Sequence, residues 1–175
     1  KQEQGENYTS SITHGLLYDE RDSKFNPTEG FVGKLSNDFA GLGGDVYYLR
    51  NVLSGAQYYS ITKNWILTGS GKVGHIFGLG EDVVIGDRFF LGGDSLRGFA
   101  TAGVGPRDKN TGDSLGGEWI YSGSVELTMP LGLPEELAIN GRIFSDFGSL
   151  GTVSPSSSAV FDEASLRASL GLGVG

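Results

Sequence analysis

At 175 residues, with 30 glycines, one methionine and no cysteine, the chain is long enough for one domain but poorly suited to helices, because glycine costs about 1 kcal/mol per helical position relative to alanine. The missing cysteines exclude a disulfide framework and any cysteine-ligated metal. A formal net charge of -8, with Lys and Arg scattered rather than gathered into a stripe, argues against a nucleic-acid partner.

No apolar run approaches the roughly 18 residues of a membrane helix, and mean hydropathy is slightly negative. That leaves a strand-built membrane wall open. A barrel strand crosses in about 9 to 11 residues with every second side chain facing the lumen, so its average hydropathy looks soluble. Residues 1–10, KQEQGENYTS, lack the regions of a signal peptide. The expectation is that one was removed or that the chain begins inside a longer protein.

The elements follow from period-2 alternation, which puts i, i+2 and i+4 on one face of a strand. A first strand around 8–18 directs Tyr8, Ile12, Leu16 and Tyr18 outward. A turn follows, with Asp19, Arg21 and Asp22 ahead of Asn26, Pro27, Thr28, Glu29 and Gly30. A second strand around 31–39 directs Phe31, Leu35 and Phe39 outward and leads to a tight turn at Gly41–Gly44. In 45–59, Val46, Tyr48, Val52, Ala56 and Tyr58 share a face that Arg50 interrupts, so a bulge or register change is expected there. In 65–77, Trp65, Leu67, Val73 and Phe77 oppose Thr68, Ser70 and Lys72. The glycine-rich stretch 88–118 shows no alternation and is too long for an ordinary connector.

Beyond it, 119–129 is the cleanest strand. Trp119, Tyr121, Gly123, Val125, Leu127 and Met129 oppose Ile120, Ser122, Ser124, Glu126 and Thr128. A turn at Pro130–Pro134 leads to 137–147, where Leu137, Ile139, Ile143 and Phe147 oppose Asn140, Arg142 and Asp146. Residues 149–162 read as a solvated loop around Ser154–Ser158. In 166–174, Leu166, Ala168, Leu170, Leu172 and Val174 oppose Arg167, Ser169, Gly171 and Gly173.

Lys or Arg on a lipid face at mid-membrane costs roughly 2 to 4 kcal/mol, so in a barrel the side carrying Lys34, Lys72, Arg142 and Arg167 is the lumen. Glu126 and Asp146 fall on that side by parity. Trp65, Trp119, Tyr121 and Tyr8 are then candidate interfacial aromatics. A soluble β-sandwich alternates equally well.

Within 88–118 the sequence runs Phe90, Leu91, Gly92, Gly93, Asp94, Ser95, Leu96, Arg97, Gly98, Phe99, then Val104, Gly105, Pro106, Arg107, Asp108, then Leu115, Gly116, Gly117. This resembles the signature loop of the Omp85 family, a tetrad Val/Leu-Arg-Gly-Phe/Tyr after a double glycine. Three further segments resemble the family in the same order: the turn Asp19, Arg21, Asp22, Pro27, Thr28, Gly30; the strand carrying Glu126; and Phe144, Asp146, Gly148. The resemblance implies an all-β, antiparallel transmembrane barrel, with about seven strands here of roughly sixteen in the whole. It makes residues 1–175 part of a carboxy-terminal barrel domain whose loop folds back into the lumen, where Arg97 of the tetrad Leu96, Arg97, Gly98, Phe99 meets acidic side chains of the inner wall. A guanidinium suits bidentate carboxylate pairing, and Glu126 and Asp146 are the lumen-facing candidates.

The same resemblance implies integration in a bacterial outer membrane and a role in inserting and folding client β-barrel proteins, by strand pairing at an open edge rather than by chemistry. The implied partners are outer-membrane lipid, the clients, and accessory assembly lipoproteins reached through periplasmic POTRA repeats lying outside this sequence. A transport branch that secretes a polypeptide through the lumen is the alternative, with a passive porin behind it. No enzyme and no cofactor is expected. His14 and His75 face lipid or the interface without ligand-spaced partners, serines lack a histidine within reach, and no phosphate-cradling glycine loop occurs.

Overall fold

The computed structural model describes residues 8–134, 137, 139–161 and 164–175; residues 1–7 and Ala138, within two of the segments read above, lie outside the described residues. Alternating apolar and polar side chains produce one antiparallel sheet of seven strands. In spatial order these are β1 (Ser11–Asp19), β2 (Gly30–Ala40), β3 (Tyr48–Thr62), β4 (Trp65–Gly78), β6 (Trp119–Pro130), β7 (Asn140–Gly151) and β9 (Arg167–Val174). Two short strands, β5 (Arg107–Asp108) and β8 (Val160–Phe161), pair with each other outside it. The sheet does not close on itself: β1 and β9 are its edges.

The connections sort by end. Segments 20–29, 63–64 and 131–139 lie at one end, and 41–47, 79–118 and 152–166 at the other. The two longest connections, 79–118 and 152–166, share one end, as in an outer-membrane barrel, although 20–29 and 131–139 at the other end are both longer than 41–47.

Register confirms the two faces. Lys34, Ser54, Lys72, Ser122, Gly148 and Arg167 lie opposite one another in one row, and residues directly opposite project to the same side. On the other side stand Leu35, Leu53, Val73, Leu170 and Leu172, the last two 79% and 80% exposed. An apolar surface this extensive is compatible with hydrocarbon rather than water. Trp65 and Trp119 sit at opposite ends of the outer face, since β4 and β6 run antiparallel.

The core lies on the inner face, at the loop end. Tyr48, Ile76, Ile120 and Leu150 of the strands pack with Phe89, Leu91, Leu96 and Val104 of the 79–118 loop, all buried. This corrects the reading of 45–59. β3 runs through Arg50 without a bulge, and its register shift falls between Ser60 and Thr62. Tyr48 and Val52 share a face with Arg50 because that face is the lumen, covered here by the folded-back loop. The Arg50 guanidinium lies 4.6 Å from the centre of the Phe89 ring, a cation–π contact that suits a cation to this apolar patch.

The 79–118 segment is also more ordered than its lack of alternation suggests. Two 3-10 turns (Ile85–Asp87 and Gly93–Ser95) and the bridges Phe89↔Gly117 and Leu91↔Val104 fold it into a compact plug. β5 pairs with β8 of the next loop. The buried Arg88 side chain joins the two loops by donating to the carbonyls of Val83, Leu115 and Ser154.

Candidate functional site: a loop arginine held on the inner wall

β6 and β7 place two rows of inner-face residues side by side. Ser124 stands opposite Asp146, and Glu126 opposite Phe144. Inward side chains two residues apart on a strand are separated by about 7 Å, so these four residues frame an area about the size of one guanidinium. Arg97 fills it.

Its Nε donates to Asp146 Oδ2 at 2.7 Å and its Nη2 to Asp146 Oδ1 at 2.8 Å, the bidentate geometry that a planar fork allows. The Arg97 backbone N–H adds a third donor to Oδ2 at 3.1 Å. Nη1 donates to Glu126 Oε2, and Nη2 also to Ser124 Oγ at 3.0 Å. Ser124 in turn donates its hydroxyl to Asp146 at 2.6 Å. Beneath this, the guanidinium carbon lies 3.5 Å from the centre of the Phe144 ring. Charge, edge and face are thus all engaged. Glu126 carries a second, looser cation, Arg142, at 3.6 Å.

The loop is shaped to deliver the arginine. Gly92 has φ 132 and no room for a Cβ, which would meet the Ala100 carbonyl. Gly93 N–H donates to Phe99 O at 3.0 Å, and Ser95 Oγ closes on Gly92 O at 2.8 Å. Leu96 is completely buried, which fixes its neighbour Arg97 above the wall. Gly98 takes φ 89, disfavoured for L side chains, and a Cβ there would lie 3.2 Å from Ser169 Cβ. Phe99 is half-buried against the core. Gly148 lets the loop approach: a Cβ there would be 3.1 Å from Leu91 Cδ2.

The turn motif lies at the opposite end of the sheet and forms a separate unit. Arg21 Nε and Nη2 donate to the two Asp19 oxygens, each at 2.8 Å. Asp22 accepts from Thr28 Oγ1 at 2.7 Å and from the N–H groups of Thr28 and Glu29 at 2.9 and 3.1 Å. The Thr28 hydroxyl bond, followed by the backbone donors, lowers the Asp22 carboxyl to about 2. Pro27 is partly exposed in the same turn, and Gly30 has φ 101 against the Glu20 carbonyl. Sequence reading did not single out Phe144 and Ser124 as partners of Arg97, nor Arg88. Parity on β7 and β6 carries the signal for the first two; Arg88 sits in a loop with no period to read, and the carbonyls of Val83, Leu115 and Ser154 that it donates to leave no side-chain trace.

An antiparallel sheet with an apolar outer face, a polar inner face and a loop pinned to the inner wall defines a segment of an outer-membrane β-barrel with an in-folded plug. Comparison with known proteins narrows this. The model of the Omp85 superfamily domain matches residues 1–175, and the chain belongs to that superfamily. It is 35% identical over 99% of its length to the outer membrane protein assembly factor BamA of Neorickettsia risticii, covering 24% of that protein. It is 32% identical over 74% of its length to BamA of Nitratidesulfovibrio vulgaris, covering 18%. It is 34% identical over 75% of its length to sorting and assembly machinery component 50 homolog A of Xenopus laevis, covering 28%. The chain therefore spans about a quarter of these relatives. In fold it matches the crystal structure of BamA from Haemophilus ducreyi lacking POTRA domains 1–3, with a TM-score of 0.81 and 20% identity, over 94% of this chain and 35% of that one.

Proposed function

We propose that this chain is part of the barrel of an outer-membrane assembly factor that inserts and folds client β-barrel proteins. The observation that carries the reading is the engagement of Arg97 by Asp146, Glu126, Ser124 and Phe144. A loop held on the inner wall fits a template for strand addition, which needs a defined wall. Relatives whose names state assembly of outer-membrane proteins support it. Insertion by strand pairing uses unpaired backbone donors and acceptors at a barrel seam, so no catalytic residue is required and the protein acts without being an enzyme.

The partners on this reading are outer-membrane lipid, unfolded client barrels, and accessory lipoproteins that dock through POTRA repeats of the whole protein. The test is replacement of the full-length protein by an Arg97→Ala version in cells. Several client barrels should fall together while the variant itself still folds in the membrane. Loss of one secreted polypeptide with normal client levels would instead place the protein in the transport branch.

A further inference from the structure

One row on the outer face is built differently from its neighbours. Gly33, Gly55, Gly71 and Gly123 stand opposite one another across β2, β3, β4 and β6, with Gly69 two residues from Gly71 on the same face. The Phe31 ring leans over Gly33 and Gly55 at one end, and the Phe147 ring over Gly123 at the other. Between them the floor is open: a Cβ on Gly69 would touch nothing within 4 Å, and one on Gly71 only Ser122 O at 3.6 Å. Leu53, Val73 and Tyr121 form the remaining walls of a groove of about 500 Å³ whose exposed surface is almost wholly apolar.

The groove lies within the surface that meets hydrocarbon, and its floor is near mid-strand. Gly71 is six residues along β4 from Trp65 and seven from its end at Gly78. Water at that depth would find no partners. The Gln57 side chain at the rim is already committed, donating to the carbonyls of Gly30 and Tyr58. Against lipid there is no hydrophobic drive, so what distinguishes one site from another is the number of atoms in van der Waals contact. A chain on a smooth wall is touched from one side; a chain in this groove is touched from three.

We propose that this groove holds one acyl chain of a membrane lipid in a fixed position, as a built part of the barrel's outer surface. The inner face behind it carries Ser54, Ser70 and Ser122 on either side of Lys72, and these line a lumen cavity of about 660 Å³. On the outer side the wall offers only glycine, and the seated chain supplies the packing that side chains supply elsewhere.

The test uses the full-length protein in nanodiscs of phosphatidylethanolamine doped with a phosphatidylethanolamine that carries a diazirine at mid-chain. After illumination, labelling is mapped by mass spectrometry. Labelling of Leu53, Val73 and Tyr121 should exceed that of Leu170 and Leu172, which lie outside the groove on the same face, by several-fold. Gly69→Leu with Gly71→Leu puts side chains into the groove at two positions where a Cβ meets nothing closer than 3.6 Å and should reduce groove labelling to the level of the Leu170 patch, while Val174→Leu, outside the groove on the same face, leaves it unchanged. Equal labelling of the two patches in the unaltered protein would overturn the proposal, whether or not the filled variant inserts, as would undiminished groove labelling in a filled variant that does.

Discussion

Arg97 donates to Asp146 through its backbone N–H and through two nitrogens of its side chain, so a single carboxylate fixes both the path of the loop and the plane of the guanidinium. Asp146 has 5% of its side chain exposed, against 18% for Glu126. Hydrogen bonds involving charged groups contribute about 1.5 to 3 kcal/mol each when buried, less where water screens them. Asp146 is therefore the dominant partner.

Asp146→Asn should impair client assembly more than Glu126→Gln. The former removes charge from the bidentate partner, and the latter from a partner engaged by one nitrogen. Client-barrel levels in cells carrying each full-length variant check the order.

Charge exchange gives a sharper expectation. Arg97→Glu combined with Glu126→Arg restores opposite signs between those two positions, yet it sets the new carboxylate against Asp146 and the new guanidinium beside Arg142, which lies 3.6 Å from Glu126. The double variant should be no better than Arg97→Glu alone. A double-mutant cycle on client assembly measures this directly.

Phe144→Leu keeps an apolar side chain but removes the ring face beneath the guanidinium. The cation–π contact contributes about 0.5 to 2 kcal/mol. A partial loss of client assembly is expected, smaller than that of Arg97→Ala, with the barrel retaining its heat-resistant mobility on gels.

The turn motif responds to pH. The folded-state carboxyl of Asp22 lies at about 2, below its ordinary 3.8, chiefly through the Thr28 hydroxyl. A depressed value stabilises the turn above the unfolded pKa, and that contribution is lost as pH falls from about 4 towards 2. Amide exchange protection at Thr28 and Glu29, corrected for intrinsic rate, should drop over that window. In Asp22→Asn it should be flat.

The strands and both faces were legible in the sequence because period-2 alternation is a direct imprint of a two-sided wall. Glu126 and Asp146 could be placed on the lumen side by parity and charge cost alone. Arg97 itself stood out only through family resemblance, since a loop has no period to read. Tyr48 and Val52 misled because apolar side chains on an inner face are indistinguishable in sequence from those facing lipid; what covers them is the cluster that Phe89 joins from a segment far along the chain. The β5–β8 pairing escaped for a different reason: two residues from each loop are too few to alternate.

The most direct test of the Arg97 clamp as a determinant of assembly is reconstitution. Full-length protein with Arg97 or with Arg97→Ala is placed in proteoliposomes, and the folding rate of an added client barrel is followed by protease protection. Burial of Phe89, Leu91 and Leu96 keeps the root of the loop in place in either case, so the variant isolates the clamp. Losing about 2 kcal/mol of docking energy changes the ratio of pinned to released loop tip by well over tenfold, and client folding should slow by about tenfold with the variant's own barrel intact. Client folding at the unaltered rate in Arg97→Ala proteoliposomes would contradict the account and leave Arg97 as a plug residue only.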